Sequence, residues 1–164
     1  MNHILRAWRA SFVRRWHNNP DLCHTVDPDS GHQGRTALLV LLFEPDASRN
    51  LLAHAITHDQ GEVMPGDMSH DAKKAMPDLA KQIAQLEAKE RVAQGFCLPN
   101  LTEREKKILK LCDWLDAWLW MMKHERRLYA RKDWQAQLRD MHDAALDLGV
   151  GDAFAALIHA ETTR

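Results

Sequence analysis

Apolar positions recur at helical spacing along most of this chain. Ile4, Leu5, Trp8 and Phe12 fall on one side of residues 2–15 and Arg6, Arg9 and Arg14 on the other, which predicts an amphipathic helix. The pattern lapses over residues 16–31. That stretch carries Asn18-Asn19-Pro20-Asp21 and Asp27-Pro28-Asp29-Ser30-Gly31 and reads as a long loop, a kind of segment that often carries function. A helix is expected from His32 to Glu44, broken by Pro45, and another over 46–58, where Leu51, Leu52, Ala55 and Ile56 keep helical spacing. Gly61, Pro65 and Gly66 then mark an irregular segment. Shorter helices follow over 70–76 and 78–94, separated by Pro77, with Gly95 as a C-terminal stop. Thr102-Glu103-Arg104-Glu105 is a capping box that opens a long helix to about Tyr129. Helices over 132–148 and 151–162 close the chain, with Gly149 at their joint. No segment alternates with period two. The reading is a single all-α domain over residues 1–164, a bundle of about seven helices.

Composition narrows the classes. Hydrophobic residues make up 45% and charged residues 27% of 164, ordinary for a globular protein with one sizeable core. Lys and Arg number 22 against 23 Asp and Glu, so no basic excess argues for a nucleic-acid polymer as partner. The longest apolar run, Ala37 to Phe43, is too short to cross a bilayer, so no membrane partner is expected. No signal-peptide pattern is visible at the start. Cys23, Cys97 and Cys112 have no paired spacing, which fits reduced thiols and a cytoplasmic protein. With ten His in the chain, an individual His needs a positional argument; His17, His24, His54 and His70 have none.

One dipeptide has such an argument. His58-Asp59 sits in Ile56-Thr57-His58-Asp59-Gln60-Gly61-Glu62, with His32 upstream and Asp113 downstream in Leu111-Cys112-Asp113-Trp114. Two imidazoles and two carboxylates are a ligand set for a divalent transition metal such as Mn, Co, Fe, Ni or Zn. They are expected at a helix start, a helix end and the middle of a long helix, and separate helices of a bundle can converge on one ion. Apolar neighbours around Asp113 argue against a simple solvent-facing acid. Asp116, three residues on and nearly on the same face, is its rival. Trp114, Trp118, Met121 and Met122 read as core or subunit interface, and Lys123 to Arg127 as a solvated helix end suited to the dipole.

In the order H…HD…D, the chain resembles the HD-domain metal-dependent phosphohydrolases. The segment His58-Asp59-Gln60-Gly61-Glu62-Val63-Met64-Pro65-Gly66-Asp67 is similar to the HD-x-x-E-x-x-x-G-D segment of bacterial 5′-deoxynucleotidases and of phage-type dATP triphosphohydrolases. The resemblance covers residues 12–120. It implies that His32, His58, Asp59 and Asp113 hold the metal, that Glu62 orients or deprotonates the attacking water, and that Asp67 assists. It further implies that Arg15, Lys73 and Lys110 meet phosphate and that Trp16 packs on the deoxyribose; Arg14 and Lys74 are the neighbouring rivals of Arg15 and Lys73. Two departures stand out: Gly31 precedes the first His where those enzymes commonly have Glu, and loop 17–30, which would touch base and sugar, differs in length and content.

The expected activity is therefore cleavage of a deoxynucleotide by water attack on its 5′-phosphate, releasing a deoxynucleoside, with dATP the first expectation for a triphosphate. A 5′-deoxynucleotidase acting on monophosphates is the alternative. An HD hydrolase of a signalling nucleotide is a further class, disfavoured because no regulatory or synthetase domain accompanies it. A non-catalytic helical module is disfavoured by Glu62 and Asp67 beside a full ligand set. A homo-oligomer is expected from the six Trp and from the relatives.

Overall fold

The structure, a computed structural model, describes residues 2–164, apart from the side chains of His70 and Asp71. Eight helices run in the order α1 (His3–Ala10), α2 (Asp29–Phe43), α3 (Arg49–Ala55), α4 (His70–Ala75), α5 (Pro77–Ala93), α6 (Glu103–His124), α7 (Lys132–Leu148) and α8 (Gly151–Thr162). Two 3-10 turns, Gln60–Val63 and Arg126–Ala130, interrupt them. Among the described residues there is no strand, only an isolated antiparallel bridge between Arg14 and Pro28. The protein is all-α. Among the described residues, no helix is long and apolar enough to cross a membrane.

The sequence signals act where they were read. Thr102 caps α6: its hydroxyl accepts from the Glu105 amide at 3.2 Å, and Glu105 accepts from the Thr102 amide at 2.9 Å. Gly95 and Gly149, at φ 92° and 76°, stop α5 and α7 in the left-handed region. Each is followed by an amide that reaches back five residues, Phe96 to Arg91 O and Val150 to Ala145 O, both at 2.9 Å.

Several boundaries differ from expectation; α2 begins at Asp29 rather than His32, and α3 at Arg49 rather than at 46. α1 stops at Ala10 rather than near residue 15, because the backbone of 13–15 bonds to 27–29 instead: the Arg15 amide donates to Asp27 O and the Asp29 amide to Val13 O, each at 2.9 Å. α3 ends at Ala55, so His58-Asp59 lies in a turn rather than at a helix end. α6 ends at His124, and the 3-10 turn after it lets the Arg126 guanidinium donate to the carbonyls of Glu161 (2.7 Å) and Thr162 (2.9 Å).

The chain divides into two compact units, one comprising the residues up to Gly34 with Ile56–Pro99, the other Arg35–Ala55 with Asn100–Arg164. The second has an ordinary apolar interior, with Leu51, Ile108, Leu115, Trp118, Met141 and Phe154 almost wholly buried. It is built on α6 against α3 and α7, and on α7 against α8. The first is of a different kind. Its 3-10 turn packs on α5 and α1, and its buried side chains are largely polar: Asp27, Asp29, His32, Gln60, Glu62 and Glu90. Burying polar groups is costly without partners, so where each of these side chains finds its partner matters to the fold.

Candidate metal centre

The first unit gathers the upstream His and the HD pair. His32 lies one turn inside α2 and is fully buried. Its Nε2 is 3.1 Å from His58 Nε2, and Asp59 Oδ2 is 3.4 Å from both nitrogens. Metal–imidazole bonds of about 2.1 Å place ligands about 3.0 Å apart at right angles and about 3.4 Å apart at tetrahedral angles. The three atoms thus stand at ligand-edge spacing, and two imidazoles with one carboxylate suit a divalent transition metal.

Neighbouring residues fix this geometry. Arg91 of α5 donates to the His58 carbonyl at 3.0 Å, and Gln94 donates to the Gln60 carbonyl at 2.9 Å and to Glu90 at 3.1 Å. Glu90 also takes a two-pronged ion pair from Arg6, which ties α1 to α5 and holds the Glu90 carboxyl below the ordinary range. Gln33, its amide assigned from the surrounding donors and acceptors, links the Ile56 carbonyl (3.0 Å) to the Gln60 amide (3.2 Å). Gly61 lets the 3-10 turn sit on α5: a Cβ there would stand 2.5 Å from the Glu87 carbonyl oxygen and 2.6 Å from its Cα.

Arg15, Trp16, Glu62, Asp67 and Lys73 surround the cluster. Arg15 Nη1 lies 3.5 Å from Asp59 Oδ2, and its guanidinium is 5.5 Å from the Trp16 ring. Trp16 adopts φ 65°, a left-handed conformation rare for a bulky residue. Two carboxylates hold it there: its amide donates to Asp67 Oδ2 and its indole N–H to Asp27 Oδ2, each at 3.2 Å. Asp67 thereby anchors the Arg15-Trp16 turn. Glu62 is buried, with Lys73 Nζ 3.8 Å from Oε1, while Oε2 accepts no hydrogen bond. Burial first, then Asp59, Asp67 and Asp29, push its carboxyl far above the ordinary carboxylate range, against a smaller lowering by Lys73.

Two acids at this centre carry no signal in the sequence pattern. Asp27 and Asp29 sit in a turn-rich segment where acids are commonplace, yet both are buried. Asp29 accepts no hydrogen bond on either oxygen. Burial, then Asp59, raises its carboxyl to about 8, with Arg15 opposing.

The remaining expected residues belong to the second unit. Asp113 lies mid-α6 and accepts from Lys110 Nζ at 3.0 Å; that ammonium is also 5.0 Å from the Trp114 ring centre. Asp116, its rival, is buried and takes a two-pronged contact from Arg35 at 2.7 and 3.0 Å, with the same guanidinium 4.5 Å from the Trp120 ring. Trp118, Met121 and Met122 are core. A groove of about 440 Å³ is lined by residues of α7 and α8, Leu138, His142 and Phe154 among them, and by none of the expected site residues. Compared with protein-family models, with curated proteins and with solved structures, the chain matches none.

Proposed function

We propose that the chain is a metal-dependent phosphohydrolase of the HD type, acting on deoxynucleotides by water attack on a phosphorus of the 5′-phosphate chain and releasing a deoxynucleoside. The observation that carries this reading is the His32–His58–Asp59 cluster at ligand-edge spacing, beside a buried carboxylate and two cations. The resemblance read from the sequence points to the same residues and adds Asp113 as the fourth ligand. A divalent cation, when bound, supplies Lewis acidity to the water and to the phosphoryl oxygens.

The protein's own residues do the rest. Glu62, whose Oε2 accepts no hydrogen bond, positions the attacking water. Arg15 and Lys73 hold phosphate oxygens through charge-assisted hydrogen bonds, with Lys110 as a third contact. Trp16, fixed by Asp27 and Asp67, packs on the deoxyribose. For a triphosphate the first expected substrate is dATP, with attack at the α phosphorus releasing intact triphosphate. A homo-oligomer belongs to the proposal; Ile4 and Trp8 on α1, and Phe12 just after it, stay exposed.

One observation favours a 5′-deoxynucleotidase as the second reading. Arg15 and Lys73 are the expected cations of the first unit, and two such contacts suffice for a single phosphate, while Lys110 is engaged by Asp113 and Trp114. A panel of deoxy- and ribonucleoside mono-, di- and triphosphates with added divalent metals, its products separated by chromatography, decides between the two readings. His58→Ala and Asp59→Ala should each lose the ion held by the imidazole cluster, and turnover with it, while keeping helix content. Glu62→Ala should keep the ion held by the imidazole cluster and lose about 10²–10⁴-fold in turnover. Full activity of His58→Ala in the presence of a chelator overturns the proposal.

A further inference from the structure

Asp59 belongs to two groups of ligand-capable atoms. One is the imidazole cluster; the other is Asp29, Asp59 and Glu62, whose carboxylate oxygens lie within 4.8 Å of one another. We propose that Asp29, Asp59 and Glu62 form a second cation position, oxygen only, for a hard divalent cation such as magnesium or manganese, adjoining the imidazole position and sharing Asp59 with it.

Burial and missing partners carry the inference. Asp29 has no exposed surface, and both its oxygens lack a hydrogen-bond donor. Its position at the start of α2 suggests a helix cap, but no amide of that helix donates to it. Glu62, 5% exposed, leaves Oε2 without a donor as well. A buried carboxylate without partners is expensive, and two that converge with a third on one point are more so. The cations described here, Arg15 at 3.5 Å from Asp59 and Lys73 at 3.8 Å from Glu62, stand at the edges of the triad. A divalent ion among the three oxygens supplies the missing positive charge.

The donor types separate the two positions. Imidazole nitrogens suit borderline transition metals, whereas carboxylates alone suit magnesium, manganese or calcium. The proposal does not require the imidazole position to be filled. Asp29 has no part in the hydrolytic roles assigned above, which makes it the residue to test.

Manganese is the probe. The full chain, stripped with chelator, is titrated with Mn²⁺ and its bound metal counted by equilibrium dialysis and elemental analysis. The expected result is two ions per chain in the unsubstituted protein and one in Asp29→Asn. His58→Ala is expected to keep the oxygen position and bind one ion, sensitive to Asp29→Asn in the double variant. Electron paramagnetic resonance adds a readout independent of turnover: a shared carboxylate couples two Mn²⁺ ions, and Asp29→Asn leaves the uncoupled signal of one. Melting of the metal-free proteins checks folding, since the neutral amide relieves buried charge and Asp29→Asn should melt no lower than the parent. An Asp29→Asn protein that folds and binds as many ions as the parent, with the same coupling, overturns the proposal, as does a parent that binds only one. An unaltered metal count in His58→Ala counts instead against the imidazole reading alone.

Discussion

Asp113 and Asp116 are three residues apart on α6, and their surroundings give them different work. Asp116 is buried against the forked guanidinium of Arg35, a geometry that fixes a carboxylate in place. Asp113 is partly exposed and accepts from Lys110 of its own helix. Removing Asp116 therefore strips Arg35 of a charge-assisted pair; Arg35 is partly solvated, which moderates the loss. Asp116→Ala should cost about 2 kcal/mol in a denaturant titration and leave bound metal unchanged. Asp113→Ala, under the proposed function, should do the reverse: a small stability loss with weaker metal retention by dialysis.

At the scale of elements, the 3-10 turn Gln60–Val63 carries Glu62 and rests directly on α5. Gly61→Ala puts a methyl into the Glu87 backbone, and neither partner is a flexible side-chain end. The expected loss is about 1–3 kcal/mol, as for other overpacked contacts, seen as a lower melting temperature with weakened metal binding because Glu62 moves with the turn. Helices and stops were legible in the sequence because they depend on local signals: apolar spacing, the Thr102 capping box, Gly95 and Gly149. His32, His58 and Asp59 stood out by residue type and order, and Glu62 only through the resemblance that this order carries. Asp29 was not, because its burial follows from a non-local pairing of 13–15 with 27–29, and an acid in Asp27-Pro28-Asp29 looks like any turn acid. The early stop of α1 and the left-handed backbone of Trp16 escaped for the same reason.

For the whole molecule, the polar interior of the first unit links stability to pH. Burial holds the Asp29 carboxyl at about 8 in the folded protein, against an ordinary value of 3.8. A raised carboxyl means that the folded state keeps a proton the unfolded state releases, so its contribution is full below about pH 4 and is lost as pH rises to about pH 8. Chelated protein should melt progressively lower across that window, and Asp29→Asn should flatten the slope; scanning calorimetry at several pH values measures both. Metal binding should tighten over the same range, since cations displace those protons. The imidazole contact has another consequence. His32 and His58 are twenty-six positions apart, and residues 35–55 between them belong to the second unit. Any ligand gripping both rings acts as a staple across that segment. Closing a loop of this length removes about 3–4 kcal/mol of chain entropy from the unfolded ensemble. Amide hydrogens of the turn that carries His58 should exchange more slowly when the rings are bridged.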